Sequence, residues 1–430
     1  MYIKDFVKDF KKNKTGIYSV CSSDEQVLSA SIEQAAADGS PLLVEATCNQ
    51  VNQYGGYTGM KPADYRDYVY SLACNAGFDC NQIILGGDHL GTQPFKDLNS
   101  SEAMEKALDM VKLYADAGFT KLHLDASVRC EDDRELSIDE FEILACERVA
   151  EMAQIAGKSS NAENISYIIG TEVPTPGGCQ EDEENLKPTS AEEAEKTLEL
   201  SRMSFMKRDL QREWEKVCAL VVQPGVEFSD SLVHQYDRTS AGSLSSCLKN
   251  VPEIVFEAHS TDYQTDLALQ QLVEDGFSIL KVGPALTYAK HQAVFALGRI
   301  EKELIQPDRC SEIDEVIEQI MTSNPGNWIS HYHGNSRELK LARKYSYSDR
   351  LRYYWPDKDI LSAMSILITN LSEVKIPHTL LYEYMPMQYW YVRKGFVKAK
   401  PLDLINHHIQ LELKRYSIAC GFSCELDKLK

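Results

Sequence analysis

The chain has 430 residues, 43% of them hydrophobic and 26% charged, which supplies core for a large globular domain with an extension. Its 45 basic residues against 65 acidic ones leave a net charge of −20. That balance argues against a nucleic-acid or anionic-membrane surface and offers no long-range steering of a phosphorylated substrate. No apolar stretch approaches the roughly 18 residues of a spanning helix, and the opening MYIKDFVKDFKKNK is charged throughout, so no secretory signal is read there. Twelve cysteines without a CxxC pair fit reduced thiols in a cytoplasmic protein, with Cys21 among those read as packing residues.

Short apolar, β-branched runs predict strands at Gly16–Val20, Leu42–Ala46, Ile83–Leu85 and Lys121–Asp125, then at Ser166–Gly170, Ala219–Gln223, Ile254–Ala258 and Ser278–Val282. Amphipathic stretches alternate with them. Residues 103–119 carry apolar positions at 3.6-residue spacing, and residues 189–217 read as one helix opening on a Thr/Ser cap. The acidic run QEDEEN (180–185) reads as a solvated loop. Eight strands alternating with helices predict an α/β fold, a (β/α)8 TIM barrel over residues 1–300. A doubly wound sheet would need GxGxxG after the first strand, where VCSSDEQ stands instead. From residue 301 the strand rhythm stops, and 301–430 is predicted to be a helical C-terminal extension packed on the barrel, covering its mouth or forming a subunit interface.

Barrel enzymes carry their chemistry at the carboxyl ends of the strands. Those ends hold Asn49, Asp88-His89, His123, Asp125, Glu172, Gln223, His259-Ser260-Thr261 and Lys281. Imidazole and carboxylate ligands together suit a divalent metal, so His89, His259, Glu172 and Asp125 are the predicted ligands. His123 lies deeper, two residues before Asp125 on the same side of its strand, and reads equally as core or site. In LGGDHLG (85–91), Gly86 and Gly87 are expected to let the backbone approach a ligand and bend as the strand exits. His89 then reaches the metal, and Asp88 beside it acts as acid and base. Glu172 is either ligand or second base. Asn49, Gln223, Ser260, Thr261 and His123 are expected to meet substrate, while Lys281 either holds an anionic end or pairs with a carboxylate. HYHGN (331–335) reads as a solvated loop.

Long motifs carry a resemblance to a known family. VEATCNQVNQYGGYTGM (44–60), ILGGDHLG (84–91), KLHLDAS (121–127), GTEVPTPGG (170–178), FEAHSTDYQT (256–265), ILKVGPALTYA (279–289) and SDRLRYYWP (348–356) resemble the GatZ/KbaZ family, the Z subunits of tagatose-1,6-bisphosphate aldolase. The resemblance implies a TIM barrel similar to class II metal-dependent aldolases, with the acid/base carboxylate at Asp88 and metal-binding imidazoles at His89 and His259. It also implies two possible roles: chemistry on a small ketose, as in related ketose 4-epimerases, or a stabilising subunit beside a catalytic GatY/KbaY-type partner. Zinc is the foremost expected metal, with manganese, cobalt or nickel as alternatives, and a homo-oligomer is expected. The kinase label also attached to this family finds no GxxxxGK[ST] loop here. HSTDYQ and KVGPALT stand where class II aldolases place glycine- and serine-rich phosphate loops, so a neutral ketose is the expected substrate.

Overall fold

The computed structural model describes residues 2–171, 186–248 and 251–423. Eight parallel strands close into a barrel. In chain order they are β1 Ile17–Cys21, β2 Leu42–Thr47, β3 Ile83–Gly91, β4 Lys121–Asp125, β5 Ser166–Ile169, β6 Val217–Val222, β7 Val255–Ala258 and β8 Phe277–Val282. Closure is made by β8 against β1, from Ile17 opposite Ile279 to Val20 opposite Val282. A small antiparallel hairpin, Glu227–Phe228 with Val233–His234, follows β6. The strands are buried on both faces, as a sheet enclosed by helices requires.

Local chemistry sets the helix ends. Asp24 caps the helix Glu25–Asp38 by accepting from the N–H groups of Gln26 and Val27, and Gly39 ends it with φ 63°. The helix expected over 189–217 is shorter: it runs Ala191–Lys207, then Asp209 turns left-handed at φ 58°, and β6 begins at Val217. A β-branched, fully buried run is worth more in the barrel than as the end of a helix.

At the amino-terminal end of the barrel, the helix Lys4–Asn13 lays Val7 and Phe10, with Ile3, against Ile17, Leu43, Ile84, Val255 and Ile279. This end is sealed by hydrocarbon. After β8 the helix Pro284–Leu304 carries the chain past residue 300 without a break, and helices continue to Cys420. The last, Pro401–Cys420, packs on Pro284–Leu304, on Glu25–Asp38 and on the helix Asp266–Glu274. Among the described residues no helix is long and apolar enough to cross a membrane.

Candidate active site

The third strand does not stop at Leu85 but runs on to Gly91. Gly87 pairs with Leu122 and Leu90 with Leu124, so Asp88 and His89 together face the single residue His123. This is a β-bulge, and His89 takes the left-handed conformation it needs, at φ 50°. A non-glycine residue held there costs roughly 1–3 kcal/mol, which the surrounding structure must over-determine. The two glycines have another role than the expected bend. A Cβ on Gly86 would lie 2.5 Å from Cγ of Glu45, and one on Gly87 would lie 2.7 Å from the Tyr114 ring. They make room for neighbouring side chains, and the bend is made by His89.

Three imidazoles converge above the bulge. The ring centroids of His89, His123 and His259 are 5.0, 4.9 and 5.1 Å apart. With Asp88 they form a buried group whose donor atoms all lie within 4.8 Å of one another. Two of the rings are backed by carboxylates: His89 Nδ1 meets Asp125 Oδ2 at 2.8 Å, and His259 Nε2 meets Glu257 Oε1 at 3.0 Å. An ionised carboxylate only accepts, so each of these nitrogens donates and leaves the other nitrogen of its ring free as a ligand. His123 hydrogen-bonds Asp88 Oδ1 through Nδ1 at 2.9 Å, and its buried Nε2 has no hydrogen-bond partner. The donor set fits a divalent cation.

Beneath the imidazoles lies a buried ionic layer. Lys121 Nζ reaches Glu45 at 2.7 Å and Glu257 at 2.8 Å, while Lys281 Nζ reaches Asp88 at 2.7 Å and Glu45 at 3.0 Å. Ser19 donates to Glu45 at 2.5 Å. Burial alone would raise the Asp88 carboxyl, but His89 and Lys281 hold it well below the usual carboxylate range. Burial likewise opposes ionised Glu257, and Lys121 and Lys281 reverse it. Against its own burial, Lys281 is held well above its ordinary value by Asp88, Cys21 and Glu45. Burial pushes His259 down to about 3, so it is neutral, whereas Asp88 and Asp125 overcome burial to raise His89. The carboxylates of Glu45, Asp88, Asp125 and Glu257 thus gather around two ammonium groups and the imidazoles in this interior, a setting in which a bound divalent cation would be compensated by the surrounding carboxylates.

The predicted residues divide. Asn49, Ser260 and Lys281 line one cavity with Asp88, His89 and His259, and His123 belongs to the imidazole group. Asp125 is not brought into that group. One oxygen holds His89, and the other accepts from the Ser127 amide and hydroxyl at 2.9 and 2.6 Å. Gln223 turns back to accept from the Gly225 and Val226 amides, and Thr261 donates to the Lys281 carbonyl at 2.7 Å. Neither lines the cavity, because each serves backbone instead, Gln223 its own turn and Thr261 the neighbouring strand. Glu172 and the run 180–185 lie outside the described residues. Cys21, expected to be packing, does line the cavity, where burial pushes its thiol up.

Sequence reading gives no site role to Glu45, Lys121 and Glu257, although period-two alternation marks them. Leu43 and Glu45, Lys121 and His123, and Ile279 and Lys281 are each two apart on one strand and so share a face, and Glu257 stands two residues before His259, just past its strand. It also passed over Arg352 and Tyr57 at the mouth, which come from the extension and a loop and follow no strand periodicity; Tyr353, one of the aromatics that the sequence allows at the mouth, in a subunit contact or in the core, lines the cavity with them. Asp262 accepts from the Gly283 and Ala285 amides at 3.0 and 2.8 Å, at the start of the helix Pro284–Leu304. Its carboxylate takes the amides that an external anion would use there.

A family profile described as D-tagatose-1,6-bisphosphate aldolase subunit GatZ/KbaZ-like matches residues 3–421. A crystal structure of a probable tagatose 6 phosphate kinase from Sinorhizobium meliloti 1021 is similar at 41% identity, covering 94% of this chain and 100% of that one with a TM-score of 0.87. Fructuronate-tagaturonate epimerase UxaE from Cohnella laeviribosi is 13% identical, over 94% of this chain and 81% of that one, with a TM-score of 0.48. The YdjI aldolase from Escherichia coli K12 is 12% identical, over 85% and 96%, with a TM-score of 0.44. The match over nearly all its length establishes that the chain belongs to the GatZ/KbaZ-like family.

Proposed function

We propose that this chain catalyses metal-dependent retro-aldol and aldol chemistry on a ketohexose, as a D-tagatose/D-fructose 4-epimerase or a tagatose-bisphosphate aldolase. The observation that carries this reading is the buried group of three imidazoles and Asp88, two of its rings backed by carboxylates, opening into a polar cavity. His89, His123 and His259 would hold the ion, with Asp125 and Glu257 fixing two of the rings. A bound divalent cation supplies Lewis-acid polarisation of the ketose carbonyl and stabilises charge on the oxygens at C2 and C3.

The chain's own residues do the rest. Asp88, ionised at neutral pH, takes the proton of the C4 hydroxyl, and Lys281 at 2.7 Å balances its charge. The C4–O–H bond electrons become the aldehyde carbonyl as the C3–C4 bond breaks, and that pair passes to the enediolate. If the aldehyde turns and C3 attacks its other face, Asp88 returns the proton and the product is the C4 epimer. If the fragments leave, the reaction is an aldol cleavage. Asn49 and Ser260 are placed to bond sugar hydroxyls.

The family description as a subunit favours a second reading, in which the chain stabilises a catalytic GatY/KbaY-type partner. Its cost is physical, since a relic pocket would keep an excess of buried charge with no task. The deciding assay uses the purified protein alone with D-fructose and D-tagatose, with and without EDTA, following both sugars and any trioses. Interconversion that EDTA abolishes, divalent metal restores and Asp88→Asn reduces by at least about 100-fold supports the epimerase. Turnover of tagatose 1,6-bisphosphate found only with a partner, and unchanged by His89→Ala, supports the silent subunit.

A further inference from the structure

The extension reaches the site through one tightly pinned segment. Tyr263 donates to the Tyr347 carbonyl at 2.6 Å, and Asp349, at φ 37°, receives Thr287 at 2.6 Å and His291 at 3.1 Å. Tyr353 meets the edge of Tyr57 at 4.9 Å. Between these anchors Arg352 enters the cavity that holds Asp88, His89 and His259. Its guanidinium bonds only neutral oxygens: the Ser348 and Asp349 carbonyls and the Tyr353 hydroxyl. Among the described residues no carboxylate forms an ion pair with it, whereas the buried lysines around the cavity, Lys121, Lys281 and Lys290, each hold one. Its field is felt nearby, since Arg352 and Arg350 hold the Tyr353 hydroxyl below its ordinary value although burial would raise it.

A half-buried guanidinium satisfied by neutral acceptors, facing a polar cavity, is a preformed receptor for an oxyanion, because its planar fork binds carboxylate or phosphate oxygens bidentately. We propose that Arg352 is a specificity-determining residue that binds an anionic group, carboxylate or phosphate, on the end of the ketose chain remote from the reacting carbonyl. This rests on the retro-aldol reading for the sugar skeleton. It also revises the expectation of a neutral ketose. The loops after β7 and β8 indeed offer no free anion site, because Asp262 takes their amides, and the cation is delivered by the extension instead.

The test uses the full-length, metal-reconstituted protein as wild type, Arg352→Gln and Arg352→Lys, with melting temperatures checked. Binding of D-tagatose, D-tagatose 6-phosphate and D-tagaturonate is measured by calorimetry, and turnover is measured alongside. Wild type should bind one anionic probe at least about 10-fold more tightly than D-tagatose, and which one it prefers separates phosphate from carboxylate. Arg352→Gln should shrink that ratio by roughly 10- to 100-fold, mainly through KM where turnover occurs. Arg352→Lys, which keeps the charge without the fork, should restore part of it and carries the test alone if the Gln variant does not fold. Equal binding of all three probes by wild type, or an equal loss for all three in the variants, would overturn the proposal. Tight Arg352-dependent anion binding with no turnover would defeat the retro-aldol reading and leave this one standing. Turnover of D-tagatose without anion preference would do the reverse.

Discussion

The two ends of one barrel solve opposite problems. At the amino-terminal end, Val7 and Phe10 seal a layer of Ile17, Leu43, Ile84, Val255 and Ile279, which gains hydrophobic free energy and asks nothing of geometry. Two residues further along the same strands stand Glu45, Glu257 and Lys281, joined by Lys121 and capped by Asp88, His89, His123 and His259. Hydrocarbon of similar volume would pack there at no desolvation cost. Keeping this charge costs stability, and the hydrocarbon of the lower half offsets that cost.

That contrast can be broken at its centre. Glu257→Ala removes one of the two carboxylate partners of Lys121 and the partner of His259. It should destabilise by about 3–5 kcal/mol, whereas Ile279→Val in the lower half should cost only about 1 kcal/mol, both read from denaturant melts. If the two costs are alike, the ionic layer is ordinary packing. Within the upper half, His89→Ala should lower turnover by at least about 100-fold and reduce bound divalent metal measured by elemental analysis. A smaller loss, about 10- to 100-fold in metal affinity, is expected for Asp125→Asn, which keeps the shape and removes the charge that orients His89. An Asp125→Asn protein with unaltered metal affinity would show that the carboxylate serves only the Ser127 turn.

The weakest effect sharpens the comparison at the rim. Burial raises the Asp262 carboxyl from 3.8 to about 6, against the two backbone amides that favour its charge. The folded chain therefore holds this proton more tightly than the unfolded one, so the contribution is present below pH 4 and is lost as pH rises through 6. Asp262→Asn should raise stability by on the order of 1–2 kcal/mol at pH 7–8, with the gain vanishing towards pH 4. Thermal melts of both proteins across that range check it. A gain that persists at pH 4 would trace to packing rather than to the proton.

Much of the site was legible because strand ends in a closed parallel barrel converge on one mouth. His89, His259, Asn49, Ser260 and Lys281 follow from that rule alone. Gln223 and Thr261 obey it too, yet Gln223 bonds the backbone just beyond it and Thr261 the Lys281 carbonyl of the next strand, a competition for their polar groups that spacing does not reveal. The expected ligand Asp125 has its oxygens on His89 and Ser127, and sequence does not separate a ligand from a carboxylate that orients one, because both are the same residue type at the same kind of position.

The sequence by itself determined the eight strands, the closed barrel they form and the ring of ionisable strand ends, since hydrophobic periodicity and strand count are local properties of the chain. Only tertiary structure decided that His89 makes a bulge, that Glu45, Lys121 and Glu257 build a layer beneath it, and that Arg352 arrives from more than 60 residues beyond the last strand. Each of these depends on which groups meet across the barrel, and the free energy of a buried charge is set by its neighbours in space rather than in sequence.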